Sequence, residues 1–333
     1  MKNNNDNILV TGGGGFLGKA IIRQLIGRGE SVCSFSRQFY PELEKMGVCQ
    51  IQGDIADKAS VENACKGMEL VFHVAAKPGI SGDYDEYYRA NVAGTENVIA
   101  ACFEHKVSRL IYTSSPSVIF NGKDMEGVNE SVPYPEIYHA HYPKTKAIAE
   151  KLVIAASQKG LKTIILRPHL IWGPGDNHLV PRILAKAKHL RKIGNGRNLV
   201  DTIYIDNAAY AHILAADKLR SNPELSGKVY FISQDEPIPL WDMVNAILEA
   251  GGLAPVERSV SPVAAKWIGT IIEGIYRLFH LPGEPPMTRF VARELATAHW
   301  FDISAAKRDF SYQPEVTIEE GLQRLADWLH QSA

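Results

Sequence analysis

The sequence predicts an α/β fold, a doubly wound parallel sheet with a smaller C-terminal portion folded over one end of it. Three observations carry that prediction. Short apolar runs that read as strands alternate with helical patterns from Ile8 to about Pro174, the pattern of a parallel sheet with helices on both faces. A glycine-rich turn, Thr11-Gly12-Gly13-Gly14-Gly15-Phe16-Leu17-Gly18, separates the first strand from the first helix. Two later runs, Asp201 to Asp206 and Lys228 to Ser233, read as strands that return to the sheet, the second as its seventh strand. A chain of 333 residues is long enough to bury one large core with a cap upon it.

The first strand is Asn7-Ile8-Leu9-Val10-Thr11, and the run Lys19 to Ile26 after the turn carries apolar residues at helical spacing. Gly12, Gly15 and Gly18 stand three apart, G-x-x-G-x-x-G rather than G-x-G-x-x-G. The physics is the same in both spacings: the backbone turns tightly, a pyrophosphate meets free N–H groups at the helix N-terminus, and the last glycine lets helix and strand approach. This predicts a dinucleotide-binding Rossmann domain over residues 1–175, with returning segments at about 200–235, in which Gly12, Gly15, Phe16, Leu17 and Gly18 face the cofactor. The second strand ends in Ser36 and Arg37, where an acidic residue would hold a ribose 2′-hydroxyl and an arginine suits a 2′-phosphate, so NADP(H) is the expected cofactor. The third ends at Gln52-Gly53-Asp54-Ile55, which places the Asp54 carboxylate to accept from the adenine amino group, with Ile55 beside it. Val71 to Ala76 reads as a buried fourth strand whose Ala75-Ala76 end, followed by Lys77, lets the cofactor approach.

The run Ala140-His141-Tyr142-Pro143-Lys144-Thr145-Lys146 holds a phenol and an ammonium four residues apart. Proline is tolerated only in the first turn of a helix, so Pro143 sets the helix start at about Tyr142, and Lys146 then lies on the same face. A free phenol titrates near 10; the lysine charge is expected to favour its phenolate. With the serine cluster Thr113-Ser114-Ser115-Pro116-Ser117 upstream, these segments read together as a nicotinamide-dependent oxidoreductase.

The same strings carry a family resemblance. The glycine turn, Asp54, His73-Val74-Ala75-Ala76, Asn91-Val92-Ala93-Gly94-Thr95, Ile111-Tyr112-Thr113-Ser114-Ser115, Tyr142 to Lys146, Leu166-Arg167-Pro168 and Tyr204-Ile205-Asp206-Asn207-Ala208 resemble an extended short-chain dehydrogenase/reductase of the 3β-hydroxysteroid dehydrogenase type, over nearly the whole chain. The resemblance implies a catalytic set of Ser115, Tyr142 and Lys146, with Ser114 as the alternative serine and Asn91 supporting the proton path. It further implies that Lys146 binds the nicotinamide ribose, that Pro168 lies near the carboxamide, and that the protein is a homodimer paired through the tyrosine helix. More narrowly, Phe35-Ser36-Arg37, Leu170-Ile171-Trp172-Gly173-Pro174-Gly175-Asp176-Asn177-His178 and Leu281 to Phe290 resemble a bacterial branch of olefin biosynthesis that reduces long-chain 2-alkyl-3-oxoalkanoic acids to 3-hydroxy acids. Steroid oxidation with isomerisation is the nearest alternative. A sugar-nucleotide epimerase or dehydratase is a second, but the dehydratase pattern sets Asp-Glu after the hydroxyl residue, where this chain has Pro116-Ser117. A non-enzymatic dinucleotide sensor does not fit an intact set of three.

A net charge of −1 gives no electrostatic reason to expect nucleic acid. Cys33, Cys49, Cys65 and Cys102 show no metal spacing, so no metal is expected, and free thiols suit a reducing cytoplasm. No apolar run is long enough to span a bilayer. Residues 176–199 and 236–333 are expected to build a substrate-binding lid over the carboxyl ends of the strands. Within it Val263, Trp267, Ile268, Ile271, Ile272, Ile275, Leu278 and Phe279 recur at helical spacing, interrupted by Lys266, Glu273 and Arg277. Such an amphipathic helix suits packing on the domain, lining for a hydrophobic keto substrate, or contact with a membrane surface. Arg182 and Lys77 are candidate partners for a substrate carboxylate.

Overall fold

The computed structural model describes residues 6–79, 82–279, 281, 283 and 285–332. Seven strands form the central sheet: β1 Asn7–Thr11, β2 Ser31–Ser36, β3 Cys49–Gln52, β4 Leu70–His73, β5 Arg109–Thr113, β6 Lys162–Pro168 and β7 Lys228–Ile232. They lie in the order β3-β2-β1-β4-β5-β6-β7, and every neighbouring pair is parallel. The order reverses between β1 and β4, which opens a crevice at their carboxyl ends.

Side chains alternate between the two faces with the period of two that a strand imposes. Ile8, Val10, Phe72, Ile111, Ile164 and Leu166 pack on one face with Ile21, Ile22 and Leu25 of helix α1, Phe16–Gly27. Leu9, Val71, Leu110 and Ile165 pack on the other, with residues of α2, Lys58–Cys65, α3, Gly94–Glu104, and α4, His141–Gln158. Because both faces are covered, the strands read as continuous apolar runs rather than alternating ones. Helix α4 begins at His141 with Pro143 in its first turn, as the proline requires.

Lys228–Ile232 joins the main sheet beside β6. Asp201 to Asp206 does not: only Ile203–Tyr204 is extended, pairing with Ile171–Trp172 in a separate two-stranded ladder. The Asp201 carboxylate is taken by the Phe301 amide at 2.8 Å, and Ile205 already starts α5, Ile205–Ser221. A four-stranded sheet of Ile238–Pro239, Leu199–Val200, His299–Phe301 and Met125–Val128 supports the C-terminal portion. Further on the chain comes back to β7: Asp309 receives Lys228 at 2.9 Å and the Tyr230 hydroxyl at 2.8 Å, and the Tyr312 hydroxyl donates to Ser233 O.

The amphipathic helix runs from Pro262 to Leu278. It turns Ala265 and Gly269 inward, where a Cβ on Gly269 would meet the backbone of Thr288 at 2.8 Å. Its apolar stripe faces outward, with Val263, Trp267, Ile268, Ile271, Ile275 and Leu278 all exposed. The Arg277 side chain, and Pro282 and Glu284 from the Leu281 to Phe290 string, lie outside the described residues.

One buried ion pair ties α4 to β6. The Arg167 guanidinium grips Glu150 through Nε and Nη2, and the Tyr134 hydroxyl donates to the same carboxylate at 2.6 Å. Both charged side chains are almost wholly buried. Removing one partner strands the other charge in the core, a loss of about 3–5 kcal/mol. Glu150→Leu is therefore expected to lower the unfolding free energy by about that amount in a urea titration; a loss below about 1 kcal/mol would show the pair to be dispensable.

Candidate active site

The carboxyl ends of the strands border a cavity of about 800 Å³. Gly12, Gly15, Phe16, Leu17, Gly18, Ser36, Arg37, Asp54, Ile55, Ala75, Ala76, Lys77, Ser115, Tyr142, Lys146 and Pro168 all line it. Asn91 does not; it lies behind the wall, 2% exposed.

The glycines act through their missing side chains. Gly12 has φ +70°, and a Cβ there would stand 2.9 Å from the backbone of Ala75. A Cβ on Gly18 would strike the Gly12 carbonyl. The first turn of α1 thus opens its N–H groups to the cavity, a site for an anion. Ser36 Oγ accepts from Gly14 N at 3.1 Å and so fixes the end of β2 against the turn. Arg37 is exposed at the rim and has no ion-pair partner among the described residues. Asp54 is already engaged: it accepts from Arg89 at 2.8 Å and from Ala56 N at 3.0 Å. Lys77 is paired with Glu86 at 2.8 Å, while Arg182 is exposed and does not line the cavity.

A hydrogen-bond chain of fixed direction joins the glycine-turn side of the cavity to the tyrosine helix. Thr95 donates its hydroxyl to Asn91 O at 2.6 Å, so at 3.0 Å it accepts from His73 Nε2. The other ring nitrogen, Nδ1, then accepts from the Thr11 hydroxyl at 2.8 Å, and Thr11 Oγ1 accepts from Ala75 N at 3.2 Å. His73 is neutral, its pKa held down to about 3 by burial and, secondarily, by the Lys146 charge. Asn91 extends the chain: Oδ1 accepts from Lys77 N at 2.7 Å, and Nδ2 donates to Thr145 Oγ1 at 3.0 Å, one turn into α4. The residue sits in a π-helical turn, Tyr88–Ala93, which its neighbours in sequence do not announce.

Tyr142 is half-buried in the cavity wall. Burial pushes its phenol up to about 12; a hydrogen bond with Ser115 opposes the rise, and Glu294 on the helix Arg289–Glu294 adds to it. The expected lowering by Lys146 is not what the fold produces. Lys146 Nζ instead donates to Thr113 O at 2.6 Å and stands 4.3 Å from the centre of the Tyr112 ring. Its own pKa is brought down to about 7 by burial, against the pull of Glu150. The site therefore holds a protonated phenol beside a lysine that gains or loses its proton near neutrality.

Of the two serines, Ser115 is the one that meets Tyr142, and its hydroxyl also lies 3.0 Å from Ser117 Oγ. Ser114 Oγ is buried without a hydrogen-bond partner among the described residues. Residues of the Leu170 to His178 string, to which the sequence assigned no role, also shape the site. The Asp176 carboxylate accepts from the amides of His178, Leu179 and Val180 and anchors the loop after β6. Leu170 and Ile171 in that loop line the cavity. The outward stripe of the helix Pro262–Leu278 does not.

The fold and the Tyr142-Lys146 pair beside a glycine turn define the class of the short-chain oxidoreductases. The family model of the 3-beta hydroxysteroid dehydrogenase/isomerase family matches residues 9–262, and the chain belongs to that family. The 2-alkyl-3-oxoalkanoate reductase of Stenotrophomonas maltophilia is 52% identical over 322 residues, covering 96% of this chain and 98% of that protein. The protein of the same name from Shewanella oneidensis is 51% identical over 326 residues, covering 95% and 84%. Among solved structures, the crystal structure of gox2253 aligns over 99% of both chains with a TM-score of 0.80 at 25% identity.

Burying a lysine that would rather be charged should show in stability. Below pH 7 the side chain is charged in both folded and unfolded chains, and the folded state bears the full desolvation cost. Between about pH 7 and the unfolded value near 10.4 the unfolded chain holds more protons, so stability rises with pH. Lys146→Met removes this dependence. It is expected to stabilise the cofactor-free protein by a few kcal/mol at pH 6, with the gain fading toward pH 10; thermal melts across that range check it, and a gain independent of pH would contradict it.

Proposed function

We propose that the protein reduces the ketone of a long-chain 2-alkyl-3-oxoalkanoic acid to the 3-hydroxy acid, with NADPH as the reductant. The observation that carries this reading is one continuous cavity with the glycine turn and an unpaired Arg37 toward one end and Ser115, Tyr142 and Lys146 toward the other. The identity to two reductases of that name supports the substrate class.

In this reading the first turn of α1 binds the pyrophosphate, and Ser36 and Arg37 bind the 2′-phosphate. Ile55 and Asp54 flank the adenine, while Ala75, Ala76, Lys77 and Pro168 bound the rest of the cofactor. The nicotinamide, when bound, supplies the hydride to C3 of the substrate. Tyr142 gives its proton to the ketone oxygen, and its raised pKa suits a donor that must arrive protonated. Ser115 donates to the same oxygen and orients it. Lys146 holds the ribose hydroxyls and, titrating near neutrality, returns a proton to the phenol. Asn91 takes no proton; it fixes the start of α4 relative to the cofactor side. Lys77 is occupied by Glu86 and Arg182 lies elsewhere, so the substrate carboxylate stays at the solvated mouth. The outward apolar stripe from Val263 to Leu278 supports contact with a membrane surface rather than with the substrate.

The family assignment favours one other reading, oxidation and isomerisation of a 3β-hydroxysteroid. NADPH oxidation against a long-chain 2-alkyl-3-oxoacid, a 3-ketosteroid and a sugar nucleotide separates the two, and faster turnover of the steroid would displace the reductase reading.

Charge-assisted contacts contribute about 1.5–3 kcal/mol, so NADPH is expected to bind about ten- to a hundredfold more tightly than NADH. Arg37→Glu should abolish that preference in a fluorescence titration, and an unaltered protein that favours NADH would sink the assignment. Tyr142→Phe should keep NADPH affinity while turnover falls at least about a hundredfold; a variant with most of its activity would remove Tyr142 from the mechanism.

A further inference from the structure

Among the described residues, four other than glycine have left-handed backbone: Lys106, Leu170, Asp235 and Ser311. Three of them are exposed and polar, the ordinary occupants of turns. Leu170 differs. Its φ is 45°, a conformation that glycine adopts freely and a leucine resists because its Cβ crowds the carbonyl oxygen. It is half-buried and lines the cavity in the same loop as Ile171, two residues past Pro168.

The backbone at this point is held from both sides. His169 N donates to Ile232 O at 3.3 Å on β7. Leu170 O accepts from Ile203 N at 3.3 Å, Ile171 and Trp172 pair with Ile203 and Tyr204, and Trp172 Nε1 donates to Thr202 Oγ1 at 3.2 Å. With its neighbours clamped, residue 170 has no freedom to leave the left-handed region. Glycine or asparagine would satisfy that backbone with less strain. A leucine retained there contributes through its side chain, which packs against the core where the residue lines the cavity. Strain of this kind, kept by an over-determined surround, is a pointer to function.

We propose that Leu170 is a specificity-determining residue: it forms the apolar wall that takes the alkyl branch on the carbon next to the reacting ketone. This rests on the reductase reading of the same cavity. The branch at C2 is one bond from C3, so whatever accepts it must lie close to the reacting end, where Pro168 and the loop after it stand. An isobutyl side chain offers no hydrogen bond to a hydroxylated or phosphorylated ligand. The wall thus favours an aliphatic branch and disfavours a polar one.

The test uses the NADPH-bound protein and three variants, Leu170→Gly, Leu170→Asn and Leu170→Met, with 2-methyl and 2-decyl 3-oxoacids as substrates. In the glycine and asparagine variants the ratio of kcat/KM for decyl over methyl is expected to fall about tenfold or more, since each methylene no longer buried against the wall weakens binding. NADPH affinity should stay within about twofold of the unaltered protein, and Leu170→Met should keep the ratio. Melting temperatures of the glycine and asparagine variants should stay within a few degrees of the unaltered protein, because relief of backbone strain offsets lost apolar contact. A ratio unchanged within about twofold in both variants, or a collapse of both melting transitions, would overturn the inference and make Leu170 a core residue. If the unaltered protein turns over neither keto acid, the reductase reading fails on its own. Binding of the two corresponding 2-alkyl acids to the same proteins then decides Leu170 by whether the decyl preference falls in the glycine and asparagine variants or holds.

Discussion

The hydrogen-bond chain through His73 is the constraint on which the site depends. It begins at Ala75, beside the glycine turn, passes through Thr11, the imidazole and Thr95, and continues through Asn91 to Thr145 on the tyrosine helix. Each hydroxyl in it has its proton assigned by its next acceptor, so the chain has one direction and His73 one neutral tautomer. Buried polar networks rigidify a structure when every member is satisfied, and this one draws on β1, β4, the π-helical turn, α3 and α4. It therefore sets the start of α4, and with it Tyr142, relative to Gly12 and Ala75.

Burial governs the electrostatics of the same place. Tyr142 and Lys146 lie in or under one cavity wall, and removal from water acts on them in opposite directions, raising the phenol and lowering the ammonium. Their two proton affinities remain ordered so that the phenol holds its proton while the lysine exchanges one near pH 7. Glu150, a turn further along α4 and locked by Arg167, restrains the fall at Lys146. The ion pair at the rear of the helix and the phenol at its front are thus parts of one arrangement.

Much of this was legible in the sequence where local chemistry decides the outcome. Continuous apolar strands, the Gly12–Gly18 turn and Pro143 each dictate backbone at short range, and the parallel sheet, the helix start and the glycine side of the cavity follow from them. What was not legible depends on residues far apart in sequence. The Asp201 to Asp206 run has strand character, yet the Phe301 amide captures Asp201 and Ile205 opens a helix, so it never reaches the main sheet. The apolar stripe after Val263 has helical spacing, but spacing does not say which face turns inward, and Gly269 rather than Trp267 meets the neighbouring segment. The phenol shift follows from burial, which a five-residue motif does not encode. The left-handed backbone of Leu170 was not legible from the string that contains it, because it is held by distant partners, Ile203 on Leu170 O and Ile232 on His169 N.

The proposed reduction delivers a hydride to the ketone carbon while Tyr142 supplies the proton to the oxygen. Single-turnover reduction with NADPH carrying deuterium at the transferable C4 position, followed by mass spectrometry of the product, tests it most directly. One deuterium bound at C3 of the 3-hydroxy acid, absent from the product of a control with unlabelled NADPH in heavy water, is the predicted result. Product without deuterium at that carbon, or with deuterium there drawn from the solvent, would contradict it.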